Sequence, residues 1–207
     1  PLQRPRAVPT KTSHPSSFRD PSGYIYYDDT RIKRHITPVG QSDFDLLLSS
    51  GLYDELVGHG YLVSHKELNR SDTGIDIEPE PITFISYPFE WSFSQLKDAA
   101  LLTLEIQKMA LRHGMTLKDA SAYNIQFSNG KPIFIDTLSF EKYLLGRPWK
   151  AYRQFCQHFL APLALMRYTD IQLSQLSRIF LDGVPLDTAR RLLPAHAKLT
   201  PTIFLHI

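Results

Sequence analysis

Met115-Thr116-Leu117-Lys118-Asp119-Ala120-Ser121-Ala122-Tyr123-Asn124-Ile125-Gln126-Phe127-Ser128-Asn129-Gly130-Lys131-Pro132-Ile133-Phe134-Ile135-Asp136-Thr137-Leu138-Ser139-Phe140 is the stretch whose reading decides the fold. Two short apolar runs, Ile125 to Phe127 and Ile133 to Ile135, flank Ser128-Asn129-Gly130-Lys131. Asn-Gly between such runs is the strongest short-range hairpin signal, because both turn residues must take positive φ. With Asn129 and Gly130 as the turn, Phe127 faces Pro132, Ile125 faces Phe134 and Asn124 faces Ile135. Asp136 then stands one step beyond Asn124 at the open end. Neighbouring strands lie roughly 4.8 Å apart, so the oxygens of Asn124 and Asp136 are expected within about 5 Å of one another, close enough to share one hard cation. Asp119 lies in the loop just before them.

The spacing Asp119-x4-Asn124, followed by an apolar strand that ends in Asp136, resembles the catalytic loop and metal-binding Asp of the protein-kinase-like fold. The aminoglycoside-phosphotransferase and lipopolysaccharide-kinase branches are the more similar ones. The resemblance implies that Asp119 is the catalytic base for an acceptor hydroxyl, that Asn124 and Asp136 hold Mg2+ on the phosphates of ATP, and that Lys118 belongs to the nucleotide site. The sequence also departs from that pattern. Leu117 stands where the family has His, Ser121 where many members carry a phosphate-binding Lys, and Thr137-Leu138 follows Asp136 in place of Phe-Gly. These changes thin the phosphate clamps and admit a degenerate, binding-only domain.

Composition sets the outer bounds. The chain has 207 residues, 43% of them hydrophobic, with 23 basic and 21 acidic side chains and a net charge of +2. That is enough for one sizeable core or two small lobes, and no global field argues for nucleic acid. Cys156 is the single cysteine, which excludes an internal disulfide and a multi-cysteine zinc site and suits a reducing compartment, so a cytoplasmic location is expected. No apolar run approaches the roughly 20 residues of a membrane span. Pro1 at one end and the apolar run Thr202 to Ile207 at the other suggest a piece of a longer protein.

Outward from the central stretch, residues 1–21 carry five prolines among basic and hydroxyl residues, the composition of an extended arm. Tyr24 to Tyr27, the turn Asp28-Asp29-Thr30 and Arg31 to Ile36 read as a hairpin closed by Pro38. Lys33 or Arg34, which alternate faces, is the strand cation that the kinase-like resemblance places near nucleotide phosphates. The family's glycine-rich loop is missing. Ser42 to Asp45 opens a helix broken at Gly51, and Glu55 or Asp54 is its candidate partner for the strand cation. Residues 64–81 read as a loop, Ile82 to Ile85 as a short strand, and Tyr87-Pro88 as a hinge. Ser92 to Gln95 is a capping box for a long helix to His113, with Gly114 as its cap and little polar surface. A long buried helix, a short loop and the hairpin follow in the order of a kinase-like large lobe.

Downstream, the apolar pattern predicts a helix over Trp149 to Tyr168 with a kink at Pro162, then helices over Ile171 to Leu181 and Leu186 to Leu193. His158 and Cys156 read as packed core groups. The expected class is α+β: a two-lobed kinase-like domain with a small lobe at 22–87 and a helical lobe at 88–207. A small-molecule or glycan-type hydroxyl compound is the expected acceptor.

A second resemblance covers nearly the whole chain. Ser17 to Gly23, Phe93 to Ala100 and Tyr152 to Phe159 are similar to the N-terminal part of bacterial proteins labelled class I S-adenosylmethionine-dependent methyltransferases, nodulation-associated ones among them. It implies a transferase parent with a downstream catalytic domain as partner, and an accessory or substrate-selecting role for this region. S-adenosylmethionine would be bound downstream, since these residues hold no Gly-rich strand-to-helix turn with a following acidic residue.

Overall fold

In a computed structural model the chain is described at residues 12–13, 21–28 and 31–207. The expected arm lies outside these residues apart from Thr12–Ser13 and Pro21, as do Asp29 and Thr30 of the first turn. The fold class is α+β. The chain forms two compact units, residues 1–45 with 64–81 and residues 46–63 with 82–207. The division therefore does not fall at residue 87. Leu47, Leu52, Leu56 and Leu62 are buried in one core with Leu96 and Ile106, and that burial draws residues 46–63 into the larger unit.

The smaller unit is an antiparallel sheet in the order β1-β2-β3-β5-β4. Its strands are β1 (Thr12–Ser13), β2 (Gly23–Asp28), β3 (Arg31–Ile36), β4 (His65–Ser71) and β5 (Gly74–Pro79). The expected first hairpin forms, with Tyr26 opposite Lys33. Residues 64–81, expected as a loop, form a second hairpin, β4–β5. Strand β4 is exposed along almost its whole length, so its charged residues carry no inward alternation, while β5 buries Ile75 and Ile77 at a strict period of two. Gly74 opens β5. At φ +141° a Cβ there would lie 2.2 Å from the Ile36 carbonyl oxygen, so this glycine permits a close strand approach. Helix α1 (Pro38–Ser49) starts earlier than Ser42, because Pro38 serves as a first-turn residue that needs no N–H donor. The chain breaks at Gly51 (φ +80°) and resumes as α2 (Leu52–Gly58).

In the larger unit α3 (Phe93–Arg112) carries the expected reciprocal Ser92–Gln95 cap. Its burial is one-sided: Leu101, Leu104 and Leu111 are exposed. Two short antiparallel pairs follow, β6 (Met115–Leu117) with β9 (Phe140–Lys142), and β7 (Ile125–Ser128) with β8 (Lys131–Phe134). The latter has the expected register, Ile125 opposite Phe134 and Phe127 opposite Pro132. Its turn residues Asn129 and Gly130 sit at φ +51° and +75°, as a primed two-residue turn requires. Ile82 to Ile85 is not a strand. The Gln126 amide instead accepts from the Ser86 N–H (2.9 Å) and donates to the Ser86 carbonyl (3.1 Å), so one side chain replaces a neighbouring strand.

The helix expected over 149–168 begins at Tyr152 and has three parts: α4 (Tyr152–Phe155), a π segment (Cys156–Leu160) and α5 (Ala161–Tyr168). The Ala161 N–H reaches back to the Cys156 carbonyl, five residues away. The Gln157 carbonyl freed by this slip accepts from the Val184 N–H at 2.9 Å. Gly183, at φ +91°, makes the approach possible, since a Cβ would come within 2.7 Å of Gln157 Cβ. Pro162 lies in the first turn of α5. Instead of one helix over 171–181, the chain has a 3-10 turn (Ile171–Gln175) capped by Asp170, then α6 (Leu176–Ile179). Short helices α7 (Leu186–Leu192), α8 (Ala195–Lys198) and α9 (Pro201–His206) follow, the last two without an expectation from sequence. Cys156 and His158 are buried, as core packing predicts. Among the described residues no helix is long and apolar enough to cross a membrane.

Candidate functional site

The turn between β6 and β7 is built by side chains bonding to nearby backbone. The Asp119 carboxylate accepts from the Ser121 N–H at 2.9 Å, and the Ser121 hydroxyl accepts from the Tyr123 N–H at 3.2 Å. Such Asx and Ser turns hold the backbone where no ladder is available. The turn is also held from two sides. Gln154 of α4 accepts from the Ala120 N–H at 2.8 Å, and the Trp149 indole N–H donates to the Leu117 carbonyl at 2.8 Å.

At the far end of the β7–β8 hairpin, Asp136 caps a 3-10 turn (Thr137–Ser139): one oxygen accepts from the Leu138 N–H at 3.1 Å and the other from the Ser139 hydroxyl at 2.6 Å. Ser139 is buried, and its oxygen in turn accepts from the Asn124 side-chain amide at 3.1 Å. The Ile135 N–H donates to the Asn124 carbonyl at 2.9 Å, which locks the end of the hairpin. Asn124 and Gln154 also make side-chain hydrogen bonds to Asp119, and Asp136 lies near enough to act on it electrostatically.

The structure thus brings Asp119, Asn124 and Asp136 together, and adds Gln154 and Ser139. Burial is the largest effect on Asp119 and pushes its carboxyl above the ordinary aspartate range; the Asp136 charge adds to this, while the bonds from Ser121, Gln154 and Asn124 pull the other way. Asn124 works in this arrangement as a donor. A shared magnesium ion would require its amide to turn its oxygen inward and Ser139 to release Asp136, so the donor set as folded does not fit the expected metal pair. Among the described residues no cluster of three or more His, Cys, Asp or Glu side chains is placed to hold a metal. Gln154 belongs to the Tyr152 to Phe159 phrase, but periodicity alone marks it only as a helix position.

The other expected nucleotide-site residues are engaged within their own units. Lys33 pairs with Asp28 on the neighbouring strand. Arg34 lies in β3, where its charge acts on half-buried His65. Glu55, expected to pair with a strand cation, instead binds His113 Nε2 at 2.5 Å and lies 3.6 Å from Arg112. His113 Nδ1 donates to the Ser50 carbonyl at 2.8 Å, so the trio clasps the break between α1 and α2 to the end of α3. Asp54 is exposed. Lys118 is half-buried, and its backbone N–H donates to the Ser139 carbonyl at 2.8 Å.

Fold and site define an α+β protein whose most concentrated polar chemistry is a carboxylate–amide network between two short β pairs. No family model matches the sequence. The chain is similar to nodulation protein NoeA of Rhizobium meliloti (strain 1021), with 35% identity over 208 residues. The match takes in 97% of this chain and 43% of that protein, so the chain spans less than half of its relative's length.

Proposed function

We propose that this chain is an accessory or substrate-selecting region of a nodulation-associated, methyltransferase-type protein, and that the Asp119–Asn124–Asp136 network is structural. One observation carries the reading: of the three residues that would run phosphoryl transfer, Asp119 is hydrogen-bonded to Asn124, Ser121 and Gln154, and Asp136 is tied to Asn124 through the Ser139 hydroxyl. The similarity to NoeA over 97% of this chain supports it as well. S-adenosylmethionine and the acceptor chemistry then belong to other residues of the parent protein.

A second reading, a nucleotide-binding relic of the kinase-like fold, is favoured by the convergence of Asp119, Asn124 and Asp136 after a long helix and a hairpin. The engagement of Lys33 by Asp28 and of Glu55 by His113 weighs against it.

Melting curves with ATP, GTP and S-adenosylmethionine, each with and without magnesium, separate the two. The accessory reading expects no shift with any nucleotide, no turnover against hydroxyl acceptors, and destabilisation in Asp119→Asn. A magnesium-dependent ATP shift that disappears in Asp136→Ala, or phosphoryl transfer lost in a normally folded Asp119→Asn, would overturn it.

A further inference from the structure

Between β9 and α4 runs Lys142-Tyr143-Leu144-Leu145-Gly146-Arg147-Pro148-Trp149-Lys150. The Arg147 N–H donates to the Leu144 carbonyl at 3.1 Å, closing a four-residue turn with Gly146 at φ +78°. Leu145 occupies the apex, 94% exposed, and Leu144 beside it is 51% exposed. This is a built projection. At one foot the Tyr143 N–H donates to the Gly114 carbonyl at 2.9 Å, and at the other Trp149 is pinned through Leu117 and packs 5.6 Å from Phe155. The exposed cations Lys142, Arg147 and Lys150 surround the tip and line a recess of about 510 Å³ behind it. Glu141 is the one carboxylate on that recess, and it is paired with Lys150 at 3.3 Å.

We infer that this loop docks the protein peripherally on an anionic lipid surface. A water-exposed leucine pair at the apex of a fixed turn has no use inside this fold, whereas an interface between water and acyl chains accepts it. Cations around an apolar tip, with Tyr and Trp at its base, match the charge and polarity gradient of an anionic headgroup layer. Lys142, Arg147 and Lys150 would meet headgroup phosphates as Leu144 and Leu145 enter the layer.

Co-sedimentation of the full chain with phosphatidylcholine vesicles containing phosphatidylglycerol, against phosphatidylcholine alone, tests the inference. Binding is expected only to the anionic vesicles and should weaken in high salt. Arg147→Glu, which reverses one charge, should weaken it about tenfold or more. Leu145→Glu should abolish it, with melting temperatures near wild type because both side chains are exposed. No vesicle binding, or equal binding to neutral vesicles, would overturn the inference. Two further results would do so: displacement of the protein by inorganic phosphate, which would make this a soluble-anion site, and self-association lost in Leu145→Glu, which would make it a protein-binding face.

Discussion

Two carboxylates, each a candidate for the same nucleotide chemistry, ended in opposite settings. Asp119 is half-buried in the larger unit, where burial raises its carboxyl and three donors converge on it. Glu55 is on the surface, where its bond to His113 holds its carboxyl below the ordinary glutamate range and raises the imidazole in return. The difference shows that a carboxylate's worth is set by what its removal leaves behind. Taking Asp119 away strands donors that are partly or fully shielded from water; taking Glu55 away returns its partners to water.

The largest expected effect follows directly. Asp119→Ala leaves the Ser121 N–H and the Gln154 amide without that acceptor, and the Asn124 amide with Ser139 alone, a loss of about 2 to 3 kcal/mol. Denaturant unfolding should show it, and a loss well under 1 kcal/mol, roughly that of a surface pair, would erase the contrast with Glu55. Ser139→Ala removes the hydroxyl joining Asn124 to Asp136 and should cost about 1 to 2 kcal/mol. Combined with Asp119→Ala it should give less than the sum if the network acts as one unit. Full additivity in that double variant would split it into two independent turns.

Acid and base should pull the two sites apart. Asp119 has a raised carboxyl in the fold, so this group stabilises the protein as pH falls through its folded value, the gain being complete below the ordinary aspartate value of about 3.9. Glu55 does the reverse: its contribution is present above the ordinary glutamate value and is lost as pH falls through its lowered one. His113, raised by Glu55 and the Ser50 carbonyl, stabilises fully below about pH 6.5 and loses that contribution as pH rises through its folded value. Melting temperatures should therefore decline from about pH 6.5 upwards in the wild type, and less so in His113→Gln. An unchanged decline in that variant would show that the clasp is not a pH-sensitive tie.

The smallest effect is expected at Lys33, whose ion pair with Asp28 is partly exposed. Lys33→Ala should cost about 0 to 1 kcal/mol and leave a magnesium-ATP melting scan unaltered. A nucleotide shift present in wild type and lost in this variant would restore the strand cation to a clamp.

Local chemistry made the β7–β8 hairpin legible down to its register, because Asn129-Gly130 supplies the two positive φ angles and apolar residues flank it. It made α3 legible through Ser92 and Gln95, and the break at Gly51 through glycine. It also set Asn124 and Asp136 at one end of the hairpin, whereas Asp119 was marked only by its kinase-like spacing. What tertiary structure decided lies where partners are distant in sequence. Strand β4 is polar apart from Leu68 and becomes a strand only by pairing with β5. Residues 46–63 join the larger unit because their leucines find a core contributed by α3. Gln154 enters the network from a helix 35 residues after Asp119, and the π segment that follows it depends on Val184 reaching the Gln157 carbonyl. Above all, the direction in which Asn124 turns its amide, and the choice of His113 over a strand cation by Glu55, rest on which donors the fold places nearby. A sequence specifies its donors and acceptors; packing chooses the pairs, because each buried polar group takes the nearest partner that keeps it from being left unpaired.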